Sequence, residues 1–304
     1  MRILHIVPHL GGGIGTVIEG WVKKDIQNHH SVVLLEIPER NPTIDYFNHV
    51  SSFGDVYHFT PDIVIVHYWN RLSLQELLSQ PLPPCRLVFW AHKNIPYTQK
   101  ELDYPDLFID TSPIQKHGRY IWSTGNMERF QKIEPIPHEG VNVGFIGHRR
   151  KAHLQLEYVL DNTPPCRFIG IGEEWPLGKA ENVVPFLSDM DIFAYMLRPD
   201  QYGTCEQVLG ETLSAGLSVL VTNNSCEKEI ISNEYNGYIA ESTEDYICKL
   251  NMLIEHKEVR EWLRPRAKES AKRIYNIDNM IAEWEEVFEE LMKQPKKRRG
   301  GLVL

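Results

Sequence analysis

The chain has 304 residues, 42% of them hydrophobic and 24% charged, which is enough for two domains of ordinary size and an ordinary composition for a soluble globular protein. Its formal net charge of −9 argues against nucleic acid as the main partner, and no apolar run reaches the length of a membrane span. The five cysteines (Cys85, Cys166, Cys205, Cys226, Cys248) are scattered and form no C-x-x-C pair, a usage that suits reduced thiols in the cytosol and no structural zinc. Met1 leads directly into Ile3–Val7 with only Arg2 before it and no small-residue cleavage site, so no signal peptide is expected.

Taken in order, Arg2–Pro8 reads as a parallel-type strand. Gly11-Gly12-Gly13-Ile14-Gly15 follows, then a helix with Ile14, Val17, Ile18, Trp21, Val22 and Ile26 at helical spacing. Ser31–Ile37 is the next strand. The alternation continues with a strand at Ile63–Val66, the loop His67-Tyr68-Trp69-Asn70, and a helix around Leu72–Leu78. A strand at Arg86–Trp90 ends in Ala91-His92-Lys93-Asn94, and Leu107–Asp110 is a further short strand. Between Ser123 and Gly140 the periodicity fails among Gly125, Pro135, Pro137 and Gly140, which reads as a linker.

A second alternating series begins with a strand at Val141–Ile146 and its exit Gly147-His148-Arg149-Arg150-Lys151. A helix at Leu154–Leu160 and a strand at Arg167–Ile171 come next. The densest stretch is Asp191–Asn223, with a strand at Ile192–Leu197, a polar loop at Arg198–Cys205, a helix at Glu206–Ala215 closed by Gly216, and a strand at Ser218–Thr222. A helix near Glu227–Ile231, a short strand at Gly237–Ala240 and helices from Thr243 to Tyr275 complete the series. Met280–Met292 is strongly amphipathic. The tail Lys293–Arg299 (KQPKKRR) carries five basic residues. The protein is expected to be cytoplasmic, and the tail reads either as a disordered, solvated end or as a contact for anionic lipid headgroups that adds a peripheral hold on the inner membrane face.

Two βα series joined by a linker predict an α/β protein of two facing, doubly wound (Rossmann-like) parallel-sheet domains. Their expected extents are 1–135 and 136–277, with a C-terminal helix at 278–293 crossing back to the first domain and a basic tail at 294–304. In such sheets ligands bind beyond the carboxyl ends of the strands, so the glycine loop, HYWN, AHKN, HRRK and the Arg198–Cys205 loop would line one cleft.

The segment Glu211-Thr-Leu-Ser-Ala-Gly-Leu-Ser-Val-Leu resembles the E-A-x-A-x-G-x-P-V signature of GT-B glycosyltransferases, in particular retaining glycosyltransferase family 4. The glycine loop after the first strand, the Gly147, Arg149, Arg150, Lys151 exit, Asn236-Gly237-Tyr238 and Trp284 in the terminal helix match further features of that family. Two departures stand out. The family's first glutamate, eight residues before the second, falls here on Gly203, with Glu206 nearby but out of register, and the signature proline is Ser218. The resemblance implies a hexosyltransferase-type enzyme, anomer-retaining, that moves a sugar from a nucleotide-sugar donor to a glycan or lipid-linked acceptor, with no metal and no other cofactor. An NAD-dependent oxidoreductase is one alternative, since strand, GGGIG, helix, strand and then Glu36 mimic a dinucleotide fold. A non-catalytic GT-B relative serving as a binding subunit is the other.

A departing diphosphate is stabilised by a metal ion or by cationic side chains with N–H groups, and Arg149, Arg150 and Lys151 sit where they could converge on one; the plainer reading is a solvated basic turn. The catalytic set expected is His92, Arg150 and Lys151. Donor contacts are expected from Gly12, Gly13, Arg149, Thr204, Cys205, Glu206 and Glu211. Glycine lets backbone approach a ligand or simply makes a tight turn, and Thr204 either meets the donor or caps a helix. As the resemblance implies, Glu211 would hold the ribose hydroxyls and His92 would stand near the transferred sugar, where a lone histidine is otherwise structural. Tyr68, Trp69 and Asn70 offer an acceptor surface, although core packing explains the two aromatic residues equally well. Asp189-Met190-Asp191 has the D-x-D form of a metal motif but precedes its strand rather than following it, so it is assigned to a turn and no metal is expected.

Overall fold

The computed structural model describes residues 1–36, 42–47, 60–199, 201 and 203–302. The chain divides into two compact units, one of Met1–Asn126, Tyr202–Cys205 and Ile277–Leu304, the other of Met127–Gln201 and Glu206–Asn276.

In the first unit the strands are β1 (Arg2–Val7), β2 (His29–Leu34), β3 (Ile63–Tyr68), β4 (Leu82–Cys85), β5 (Leu87–Ala91) and β6 (Leu107–Asp110). Five of them form one sheet in the order β2-β1-β3-β5-β6, with every pairing parallel. Strands buried on both faces read as unbroken apolar runs, and β3 and β5 are buried at every position. The expected strands and the helices at Gly12–Lys24 and Leu72–Leu78 are present. The helix at Gln99–Asp103 was not expected from periodicity. A capping box makes it: Glu101 N donates to Thr98 Oγ1 at 3.3 Å and Thr98 N donates to Glu101 Oε2 at 2.6 Å.

In the second unit the strands are β7 (Asn142–Ile146), β8 (Arg167–Ile171), β9 (Ile192–Tyr195), β10 (Ser218–Thr222) and β11 (Tyr238–Ala240). They pair in the order β11-β10-β9-β7-β8, again all parallel. Counted along the chain, both sheets thus have the order 2-1-3-4-5, with the switch point between the first strand and the third. The Gln207–Ala215 helix ends on Gly216, whose φ of 80° is the left-handed value expected at that position, and the Gly216 N–H donates to the Leu213 carbonyl at 3.0 Å. The stretch read as an aperiodic linker contains one short helix, Glu128–Gln131, and a second unexpected helix, Val184–Asp189, precedes β9.

The chain then returns to the first unit. The Ile277–Met292 helix lays Met280, Trp284, Val287, Phe288 and Leu291 on the Trp21 and Trp90 rings, with Trp284 centred 5.0 Å from Trp21 and 5.2 Å from Trp90. The basic tail differs from a solvated end. Lys297–Arg299 forms β12, antiparallel to β4, an edge strand whose Pro83-Pro84 pair hides it from any strand pattern. Arg299 lies 2.6 Å from the buried carboxylate of Asp106 and Lys297 2.8 Å from it, while Lys296 donates to the Pro61 carbonyl at 2.7 Å. Those three side chains therefore take part in the fold. Among the described residues no helix is long and apolar enough to cross a membrane.

Removing one partner from a buried ion pair leaves the other charge uncompensated. We expect Arg299→Ala to destabilise the protein by about 3 kcal/mol. Thermal melts of the two proteins check this, and an unchanged midpoint would show that the tail is not a structural strand.

Candidate functional site

In the second unit the switch point is bounded by the exits of β7 and β9. Gly147 leaves β7 with a φ of 143°, which favours glycine. Its N–H donates to the Ile171 carbonyl at 2.8 Å, and its own carbonyl accepts from the Trp175 indole at 2.9 Å. This pinned exit launches a single 3₁₀ turn, Arg149–Lys151. Each of the three basic side chains already has an acidic partner. Arg149 lies over the Trp175 ring, 4.9 Å from its centroid, and pairs with Glu157; Arg150 donates to Glu174 at 2.8 Å; Lys151 reaches Glu206 at 3.5 Å.

Glu206 is the N-cap residue of the Gln207–Ala215 helix, and its side chain makes no capping hydrogen bond. Its carboxylate accepts from the Tyr195 hydroxyl at 2.9 Å, and its carbonyl accepts from the Tyr275 hydroxyl at 2.8 Å. Glu211 lies one turn further along, only 9% exposed, and its carboxyl has no hydrogen-bond partner among the described residues. Burial raises its pKa from 4.5 to about 7, against the opposing pull of Arg129. Glu227 behaves likewise, raised to about 7 by burial and then by the charge on Glu206. Thus Lys151, Glu206, Tyr195 and Glu227 form one electrostatic group, with Glu211 on the helix that Glu206 heads.

The two D-x-D carboxylates lie at the amino ends of the strands, as their place before β9 predicts. Asp191 accepts from the Asn142 N–H at 2.8 Å, and Asp189 accepts from Asn142 at 3.0 Å and Arg167 at 3.0 Å.

In the first unit the exits of β1 and β3 flank the equivalent switch point. Gly12 and Gly13 are exposed and open the Gly12–Lys24 helix, with Gly11 N donating to His9 Nδ1 at 3.1 Å. No acidic residue occupies that helix's first turn. The acceptor-surface residues separate. Asn70 is exposed, whereas Trp69 is buried with Leu10 and Ile18, edge-on to His9 and His92. Tyr68 is wholly buried, stacked on Phe89 at 4.4 Å, with its hydroxyl donating to Glu101 at 2.6 Å; for Tyr68 the packing explanation accounts for the side chain. His67 is also wholly buried.

His92 follows β5, its N–H donating to the Tyr68 carbonyl at 2.9 Å and its Nε2 lying 3.0 Å from His67 Nδ1. Burial lowers its pKa to about 3, so the ring is neutral at ordinary pH. Thr204 accepts from Thr111 at 2.7 Å and donates to the His92 carbonyl at 3.4 Å, and the Cys205 thiol donates to the Ser123 carbonyl at 2.8 Å. Those two side chains thus bond within the first unit, to which Thr204 and Cys205 belong. Glu36, the acid on which a dinucleotide reading depends, is gripped through both oxygens by Arg71 at 2.8 and 2.6 Å and also accepts from Ser73, which lowers its pKa to about 2.

Sequence reasoning missed Trp175, Tyr195, Tyr275 and Glu227. Tyr195 counted as an apolar strand residue, Tyr275 as the end of a helix and Glu227 as the start of one. Trp175 follows Gly172 in a loop with no periodicity at all.

No family model matches the sequence, and no curated protein matches it. Solved structures do share the fold. HepE from Anabaena, crystallised with UDP, aligns with a TM-score of 0.74 at 14% identity over 95% of this chain and 100% of its own. A glycosyltransferase from Rickettsia africae aligns at 0.73 and 14% identity over 96% and 99%. Sucrose-phosphate synthase from Thermosynechococcus elongatus aligns at 0.71 and 14% identity over 96% and 99%. The fold is therefore the GT-B fold, with its two parallel-sheet domains.

The two raised glutamates set a direction for stability. A carboxyl whose folded pKa lies above its unfolded value contributes stability that is fully present below about pH 4.5 and is lost as pH rises through 7. Glu211→Gln and Glu227→Gln should therefore melt higher than the native protein at pH 8 and equally at pH 4.5, with a difference of at most about 3 kcal/mol each. Melts across that range check the sign; a pH-independent difference would contradict the raised values.

Proposed function

We propose that this protein is a glycosyltransferase that moves a hexosyl group from a uridine diphosphate sugar to a glycan or lipid-linked acceptor, with retention at the anomeric carbon and without a metal ion. The observation that carries the reading is Glu211: a nearly buried carboxyl with no internal donor, on a helix that begins beside a basic turn. An unmatched buried acceptor is costly, and a ribose diol supplies two O–H donors to one carboxylate. Arg149 and the pair Arg150 and Lys151 would exchange their present carboxylate partners for the diphosphate and neutralise it as it departs. The exposed amides of Gly12 and Gly13 and the neutral ring of His92 would meet the donor sugar, and Asn70 the acceptor. The uridine preference is suggested by HepE, whose structures hold UDP and UDP-glucose. The Arg71 grip on Glu36 argues against a dinucleotide enzyme. Gly203, in the place of the family's first glutamate, favours the non-catalytic reading and makes turnover the discriminating measurement.

The test is thermal stabilisation by UDP, GDP, ADP, CMP and NAD, each with and without EDTA, followed by an assay of sugar release. A nucleotide at 100 times its dissociation constant stabilises by about 2.7 kcal/mol. UDP should shift the midpoint, EDTA should leave the shift intact, and Glu211→Ala should abolish it. A shift only with NAD would sink the reading, and a UDP shift without turnover of any UDP-sugar would mark a binding subunit.

A further inference from the structure

Five side chains of the first unit are joined end to end through its core. Asp25 closes the Gly12–Lys24 helix, His30 lies on β2, His5 on β1, His67 on β3 and His92 just beyond β5. His30 Nε2 is 2.9 Å from Asp25 Oδ2, and His5 Nε2 is 2.8 Å from His30 Nδ1. His67 Nε2 is 3.1 Å from His5 Nδ1, and His92 Nε2 is 3.0 Å from His67 Nδ1. The strand register explains the row. His30 is level with Ile3, His5 with Ile65, and His67 with Trp90, so each step moves one strand across and two residues up. A two-residue step keeps every ring on one face of the sheet. The row therefore climbs diagonally from the foot of β2 to the carboxyl end of β5.

Such a row has a direction. A neutral imidazole has one donor and one acceptor nitrogen, so fixing one ring fixes the next. Asp25 supplies the fixed end. Its Oδ1 accepts from the N–H groups of Gln27 and Asn28, and its Oδ2 also accepts from Asn28 Nδ2 at 2.9 Å. Burial alone would raise this carboxyl, but the hydrogen bonds from Asn28 and His30 carry it below its ordinary value, so it is ionised and can only accept. His30 must then donate through Nε2, and so must His5, His67 and His92 in turn. Burial lowers the pKa of all four imidazoles, which keeps them neutral. His92 Nδ1 is the nitrogen the row does not use, and it has no partner among the described residues.

We propose that Asp25, His30, His5 and His67 are positioning residues that lock His92 as its Nε2–H tautomer and so reserve Nδ1 as a hydrogen-bond acceptor for a hydroxyl of the sugar substrate. The identity of that hydroxyl's owner rests on the glycosyltransferase reading; the lock itself does not.

The experiment uses the full chain with ¹⁵N-labelled histidine. Long-range proton–nitrogen correlation spectra distinguish the two tautomers of each ring without any substrate. All four rings should be neutral and protonated at Nε2 from pH 6 to 8; a His92 ring protonated at Nδ1, or charged, overturns the proposal. Asp25→Asn puts a group that can both donate and accept at the fixed end, and His67→Phe cuts the row with a ring of similar size. In each, His92 should show both tautomers, and kcat for sugar transfer should fall about tenfold or more with little change in donor KM. If the variants melt lower but His92 keeps a single Nε2–H form, the row is only structural and the proposal fails. If Asp25→Asn does not fold, the native spectrum and His67→Phe still decide. A locked tautomer in a protein that transfers no sugar would uphold the lock and overturn the glycosyltransferase reading instead.

Discussion

A parallel pair of strands must be joined by a crossover, and in both units the crossovers leave the second strand on one side of the first and the third on the other. That arrangement opens a gap between two loops that diverge at the carboxyl ends of neighbouring strands. In one unit the loops carry Gly11–Gly13 and Trp69-Asn70; in the other they carry Gly147–Lys151 and the residues after Tyr195. The chemistry-bearing residues gather at these ends because nowhere else on a doubly wound sheet do backbone N–H groups at helix starts and strand-exit side chains meet solvent together. The D-x-D pair shows the converse. At the amino ends its carboxylates serve the strand starts, with Asn142 and Arg167 as partners.

The buried titratable groups of this protein are handled in three different ways. Asp106 keeps its charge because Arg299 and Lys297 come to it from the tail, so the cost of burying it is offset by neighbouring cations. For Glu211 and Glu227 the pull of Arg129 and Lys151 is outweighed by burial, and their protons become harder to lose instead. The histidines are kept neutral and joined by hydrogen bonds. The first arrangement only stabilises. The second holds free energy that a ligand's donors could recover. The third fixes a proton's position.

Much of the fold was legible because apolar periodicity is a local property. Leu72–Leu78, Leu107–Asp110, Arg167–Ile171 and Ser218–Thr222 fall where the pattern places them, and the other strands differ by a few residues at their ends. What escaped was set by distant partners. No pattern in Leu82–Cys85 announces a strand, because its partner is the tail more than two hundred residues later and its two prolines argue against pairing. KQPKKRR reads as solvated chain until Asp106 is known to lie beneath it. At the candidate site, the sequence places Glu211 on its helix and the basic turn at its strand exit, because both are local features. The carboxylate partners of Arg149, Arg150 and Lys151 could not, since each comes from a different segment. Tyr68 shows the opposite error: its place at a loop suggested a surface, but alternation along β3 turned its ring into the core.

The histidine row is the feature that sequence reading was least able to find, since positions 5, 30, 67 and 92 have no common spacing and become a row only through parallel register. Its composition is not what packing would select. The face it crosses is otherwise built from Trp21, Trp90, Trp284, Ile63 and Ile65, and apolar side chains there would bury without any hydrogen bond to satisfy. A row of imidazoles by itself is also ambiguous, for its two directions of hydrogen bonding are equivalent along the interior. One acceptor-only group removes the ambiguity, and it must sit at an end, because a carboxylate in the middle would accept from both sides and leave each half pointing towards it. Asp25 occupies the end away from the strand exits. The information it imposes can emerge only at His92, the one imidazole of the row that lies at the carboxyl ends of the strands.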